Sequence, residues 1–180
     1  LNTLAACAVS GAGRIPVEAM RAAIADFTGV EHRQELVATI GGVQWVNDSI
    51  ATAPERVSAA LRSYAEPLIL LAGGRDKNLP WAEMSALAAQ TCRAVICFGE
   101  FGPQVAEHMD TARHAADQPR LQHVITVETL PEAVEAARGL AQSGDVVLLS
   151  PGGTSYDAYP DFAARGEHFR ALVRGDKELA

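Results

Sequence analysis

Trp45-Val46-Asn47-Asp48-Ser49-Ile50-Ala51-Thr52-Ala53-Pro54 reads as an apolar strand that releases an acid and two hydroxyls just before a helix opened by proline. A ligand site at the carboxyl end of a strand is assembled in this way. Two further strand-to-loop exits follow, Leu68-Ile69-Leu70-Leu71-Ala72-Gly73-Gly74-Arg75-Asp76-Lys77 and Val146-Val147-Leu148-Leu149-Ser150-Pro151-Gly152-Gly153-Thr154-Ser155. In a parallel sheet all three leave from one rim, and the pattern points to part of an enzyme.

Working outward, Glu35 to Ile40 and Val43 to Asn47 flank Gly41-Gly42, a dipeptide suited to the positive φ angles of a tight hairpin. That pair is antiparallel. Downstream the pattern alternates: helix Pro54 to Tyr64, strand Pro67 to Ala72, helix Pro80 to Gln90, strand Ala94 to Phe98, helix Gly102 to Met109. Strand His123 to Val127, helix Pro131 to Leu140, strand Asp145 to Ser150 and a helix near Tyr159 to Val173 complete it, with Asp110 to Arg120 expected as a polar surface loop. Near-continuous Val, Ile and Leu strands imply a buried sheet. The expected fold is α/β: a mostly parallel, Rossmann-like sheet with helices on both faces and an N-terminal antiparallel hairpin.

Upstream, Asn2 to Val9 and Pro16 to Asp26 read as helices, the second with Val17, Met20, Ala23 and Ile24 at helical spacing. Two helices do not close a core, so this segment is expected to pack on a domain outside the chain, with residues 27–31 as the linker. The chain starts at Leu1 without Met and is expected to be a piece of something larger.

The 15 Lys and Arg against 22 Asp and Glu leave a net charge of -7, which repels a phosphate backbone, and nucleic acid is not an expected partner. An anionic ligand must then be held by local cations and amides, which directs attention to Arg33, Arg75 and Lys77. Cys7, Cys92 and Cys97 lie in apolar stretches without paired spacing, as reduced core thiols of a cytoplasmic protein would. No metal site is expected from them. No apolar run approaches the roughly 20 residues needed to span a bilayer, so no membrane association is expected.

Several residues carry chemistry on either of two readings. Asp48 at a strand end can accept ribose hydroxyls, or cap the helix that follows together with Ser49 and Thr52. Gly73 and Gly74 let a ligand approach the main chain and Lys77 can face a carboxylate, although the loop has neither Walker order nor the dinucleotide glycine fingerprint. Ser150 to Asp157 crowds hydroxyls and glycines, which can orient a small polar substrate walled by Tyr156 and Phe162, or form a plain turn. Arg33 at the linker suits a phosphate or carboxylate, or pairs with a neighbouring glutamate.

Taken in order, His32-Arg33 with Glu35-Leu36-Val37, Asn47 to Glu55, Gly73-Gly74-Arg75-Asp76-Lys77-Asn78, Leu149 to Asp157 and Asp161 to Phe169 resemble the UDP-N-acetylmuramoyl-L-alanine:D-glutamate ligases of the Mur ligase family. The resemblance runs the length of the chain. It implies a three-domain cytoplasmic enzyme of peptidoglycan synthesis, of which residues 1–31 are the helical end of the central ATP-binding domain and residues 32–180 the C-terminal domain. Such enzymes use ATP and Mg to turn the carboxylate of UDP-N-acetylmuramoyl-L-alanine into an acyl phosphate, which the amine of D-glutamate attacks.

Residue by residue, the resemblance puts Asn2 at the adenine, Arg33 and Asp48 at the phosphate and ribose of the nucleotide, and Thr52, Lys77, Ser155, Tyr156 and Phe162 around D-glutamate. Ile50 stands where some members carry lysine. The phosphate loop and the magnesium ligands would lie upstream, so the chain by itself is expected to be inactive, with no catalytic residue, no metal ligand and no tightly bound cofactor. A folylpolyglutamate-type ligase and a non-catalytic nucleotide-binding module are the other readings of the same pattern.

Overall fold

The computed structural model describes residues 2–175, without the side chain of Asn2. It divides into two compact units, Leu1–Val30 and Glu31–Ala180. The first holds α1 (Asn2–Ala12) and α2 (Val17–Ala25), and no residue of α2 is buried.

The second unit is a six-stranded sheet clad by helices. In chain order it runs β1 (Glu35–Ile40), β2 (Val43–Asn47), α3 (Pro54–Leu61), β3 (Leu68–Gly73), α4 (Ala82–Thr91) and β4 (Cys92–Phe98). It continues with α5 (Gly102–Ala115), β5 (His123–Thr126), α6 (Leu130–Leu140), β6 (Val146–Gly152) and α7 (Phe162–Arg174). The spatial order is β1-β2-β6-β3-β4-β5, with only β1 antiparallel to its neighbour. The expected hairpin and parallel sheet are both present.

Every residue of β3 and β6 is buried, which is why these strands read as unbroken apolar runs rather than alternating ones. Alternate side chains serve opposite faces. Leu68, Leu70, Val95 and Leu148 pack with Val57 and Leu61 of α3, Met84 of α4 and Met109 of α5. Ile69, Leu71, Ile96 and Leu149 pack with Val134 of α6 and Phe169 and Val173 of α7. Each fully buried aliphatic side chain adds about 1.5–3 kcal/mol against leaving it in water, so a one-residue register slip is strongly disfavoured.

That register levels the strand ends. Asn47 lies opposite Leu149, and Leu149 opposite Leu71, so β2, β6 and β3 reach the same rim side by side. The helix after β6 lies on one face and the helix after β3 on the other. A crevice opens where connections diverge in this way.

One expectation is corrected. Residues 110–115 continue α5 instead of starting a loop. Half-buried Ala112 continues the helical spacing of buried Val105 and Met109, Asp110 and Arg113 form an i,i+3 ion pair at 2.8 Å, and the last turn carries Arg113 and His114, which favour a helix C-terminus.

Candidate functional site

At the end of β2 the chain separates its acid from its first hydroxyl. Asp48 turns to one side, where Oδ2 accepts a hydrogen bond from Ser150 Oγ at 2.8 Å and Oδ1 accepts one from the Gln34 amide at 3.2 Å. Ser49 turns to the other, donating to the Phe162 carbonyl at 2.7 Å and accepting from Arg165 Nε at 3.0 Å. The acid at the strand end was legible from sequence. Its partner Ser150 was not assigned, although a hydroxyl at the end of the neighbouring strand was the available signal.

Burial pushes the Asp48 carboxyl up to about 6, against donation from Ser150 and the Gln34 amide and the charges of Arg33 and Arg56. A buried carboxylate with so raised a pKa makes Asp48 a candidate functional group. It borders a cleft of about 140 Å³ lined by Arg33, Gln34, Asp48, Ile50 and Arg56, among others. Arg33 is exposed at the cleft mouth.

On the β3 side, Lys77 donates from Nζ to Thr52 Oγ1 at 3.2 Å, joining the loop after β3 to the loop after β2. The Lys77 side chain is exposed, so its charge is open to an incoming group. Asp76 is occupied otherwise, accepting from the Trp81 indole at 3.3 Å.

The glycines of these loops admit main chain, not only ligand. Gly74 holds φ at 94°, and a Cβ there would meet the Thr154 carbonyl; a Cβ on Gly153 would stand 2.5 Å from the Gly73 carbonyl. This closeness lets Arg75 and Thr154 exchange both backbone hydrogen bonds, at 2.9 and 2.8 Å. The β3 and β6 exits thus form one continuous rim.

Ser155 is buried on that rim, and its carbonyl accepts the amides of Ala158 and Tyr159 at 3.0 and 2.8 Å. Tyr156 beside it is 63% exposed. Phe162 opens α7 and meets the His32 ring edge-on at 6.0 Å. No aromatic contact joins Tyr156 to Phe162 among the described residues. Asn2 falls at the start of α1, and its side chain lies outside the described residues.

Arg165, to which sequence reading gave no role, ties the rim together. Fully buried, it donates from Nη2 to the Ser49 carbonyl at 3.0 Å and from both Nη atoms to the Gly153 carbonyl at 3.3 Å. Burial draws its guanidinium down to about 10, so it stays charged at neutrality. Behind it, Asn47 Nδ2 lies 3.0 Å from His32 Nδ1 and donates to the Gly166 carbonyl at 3.3 Å, fixing the entry segment to α7.

Residues 32–153 match the family model described as "Mur ligase, glutamate ligase domain". The UDP-N-acetylmuramoylalanine--D-glutamate ligase of Symbiobacterium thermophilum is 40% identical over 96% of this chain and 36% of its own length. The enzyme of that name from Chlorobium chlorochromatii is 43% identical over 96% of this chain and 35% of its own. The chain therefore spans about a third of these relatives. Among solved structures, a pseudomurein peptide ligase type C from Methanothermus fervidus superposes with a TM-score of 0.65 at 15% identity, covering 98% of this chain and 35% of that one. A bifunctional folylpolyglutamate synthase/dihydrofolate synthase from Yersinia pestis gives 0.58 at 17% identity, covering 89% and 34%. At such identities the likeness is one of fold.

Proposed function

Because the chain belongs to the Mur ligase family through its glutamate ligase domain, we propose that it is the D-glutamate-positioning end of a cytoplasmic, ATP-dependent ligase that joins D-glutamate to UDP-N-acetylmuramoyl-L-alanine in peptidoglycan synthesis. On this reading residues 1–31 close the central ATP-binding domain and residues 32–180 form the C-terminal domain. The observation that carries it is the Lys77–Thr52 contact at 3.2 Å, on a rim shared with buried Ser155.

In the proposed reaction, ATP phosphorylates the muramoyl-alanine carboxylate, and the D-glutamate amine attacks the acyl carbon. ADP leaves in the first step; in the second the amide bond forms as the acyl carbon–oxygen bond to phosphate breaks, releasing phosphate and the amine's proton. This chain contributes position: Lys77 faces a D-glutamate carboxylate as a point charge, Thr52 and Ser155 orient it, and Tyr156 and Phe162 border it. Domain closure would bring the amine within reach of the acyl phosphate, exchanging a bimolecular encounter for a prepaid one.

The Asp48 cleft fits the nucleotide, with a carboxylate for ribose hydroxyls and Arg33 for phosphate, and Asn2 is assigned to the adenine. Among the described residues no cluster of three or more His, Cys, Asp or Glu stands ready for a divalent cation. The Mg chemistry is proposed to come from the rest of the intact enzyme, and the chain alone is proposed to be inactive.

Lys77→Ala in the intact ligase tests the assignment. It should weaken D-glutamate use by on the order of 2–4 kcal/mol in kcat/KM while the KM for ATP holds. An unchanged KM for D-glutamate with full turnover removes Lys77 from the site. Assaying a panel of amino acids as the attacking amine separates this reading from a folylpolyglutamate-type ligase, which would add another amino acid.

A further inference from the structure

The cleft beside Asp48 holds a second cation besides Arg33. Arg33 reaches it from the segment before β1, and Arg56 reaches it from the first turn of α3. Both are exposed, and neither guanidinium makes an ion pair or hydrogen bond among the described residues. Asp48, the one acid lining the cleft, has an oxygen committed to Ser150 and another to the Gln34 amide. Two cations and one acid leave the cleft with a surplus positive charge. Ile50 also lines the cleft and has nothing to offer an anion.

Unpaired guanidiniums converging on one small concavity are suited to a tetrahedral oxyanion, which two arginines can grip from two sides. We propose that Arg56 is a second phosphate-binding cation of this cleft, acting with Arg33 on a phosphoryl group of the nucleotide whose ribose meets Asp48. This rests on the nucleotide assignment made above but not on the D-glutamate assignment. Arg56 is thus a binding residue for the phosphate chain. Its long side chain starts from a helix turn anchored by buried Pro54 and Val57, so its base is fixed while its head is free to meet the ligand.

Calorimetric titration of the intact protein with ADP, adenosine and inorganic phosphate tests it. Arg56→Ala should raise the Kd for ADP about tenfold, equivalent to about 1.4 kcal/mol, and leave adenosine binding where it was. Adding Ile50→Lys to that variant should recover most of the loss, because the new ammonium enters the same cleft. Arg56 is solvent-exposed, and Arg56→Lys, with an intermediate Kd expected, guards against a folding artefact. An ADP Kd indifferent to Arg56→Ala, an equal loss for adenosine, or a dependence confined to inorganic phosphate would each overturn the proposal. A ligase that binds ADP through Arg56 yet rejects D-glutamate would sink the substrate reading and leave this one standing.

Discussion

Asp48 shows how one buried acid can cost stability. Its carboxyl rises from 3.8 in an unfolded chain to about 6, chiefly because burial disfavours the charge. Between those values the folded protein binds the extra proton, so unfolding free energy falls as pH rises and then levels off above about 6. A rise of about two pKa steps corresponds to about 3 kcal/mol. Urea denaturation at about pH 4 and about pH 7 should therefore show wild type losing stability over this window relative to Asp48→Asn, whose amide does not titrate. A constant difference between the two proteins across the window would contradict the assigned titration. The acid at a strand exit was readable from Trp45 to Pro54. Its environment was not, because Ser150 lies 102 residues away and only the β2–β6 register brings it near.

At the scale of elements, α7 acts as a clamp across two strand exits. Arg165, one turn into the helix, holds carbonyls of both the β2 and the β6 loop, whose hydrogen bonds would otherwise go unmade in a buried place. Arg165→Ala should lower unfolding stability by about 3 kcal/mol, since several buried acceptors lose their donor. Removing only the helix cap by Asp161→Ala, which deletes the 2.7 Å bond to the Ala164 amide, should cost about 1 kcal/mol. Equal losses in the two variants, read by denaturant titration, would show that Arg165 merely supports the helix. Local pattern located most elements closely: the hairpin strands fall at Glu35–Ile40 and Val43–Asn47 as Gly41-Gly42 required. It failed over residues 110–115, where the apolar stripe thins to the small side chain of Ala112 among polar neighbours. Arg165 escaped notice for a related reason, as an arginine inside a helical stretch ordinarily looks like solvated surface.

For the molecule as a whole, the contrast lies between a unit built on two core faces and a unit with no buried residue among its described residues. Leu4, Val9, Val17, Ile24 and Phe27 are each about half exposed or more, and α1 and α2 have 11 and 9 residues, lengths at which isolated helices are marginal in water. Amides of β3 and β6, by contrast, lie in strands buried along their whole length and should open only with global unfolding. Hydrogen exchange on the 180-residue chain should accordingly show α1 and α2 exchanging orders of magnitude faster than β3 and β6. If residues 1–31 close a central ATP-binding domain, the same helical amides should slow markedly in the intact protein, where the exposed apolar side chains gain a core to enter. The β3 and β6 amides have no such debt and should keep their protection in both forms. Equal fast exchange of α1 and α2 in the two forms would remove these helices from any larger domain, while leaving the sheet and its rim as described.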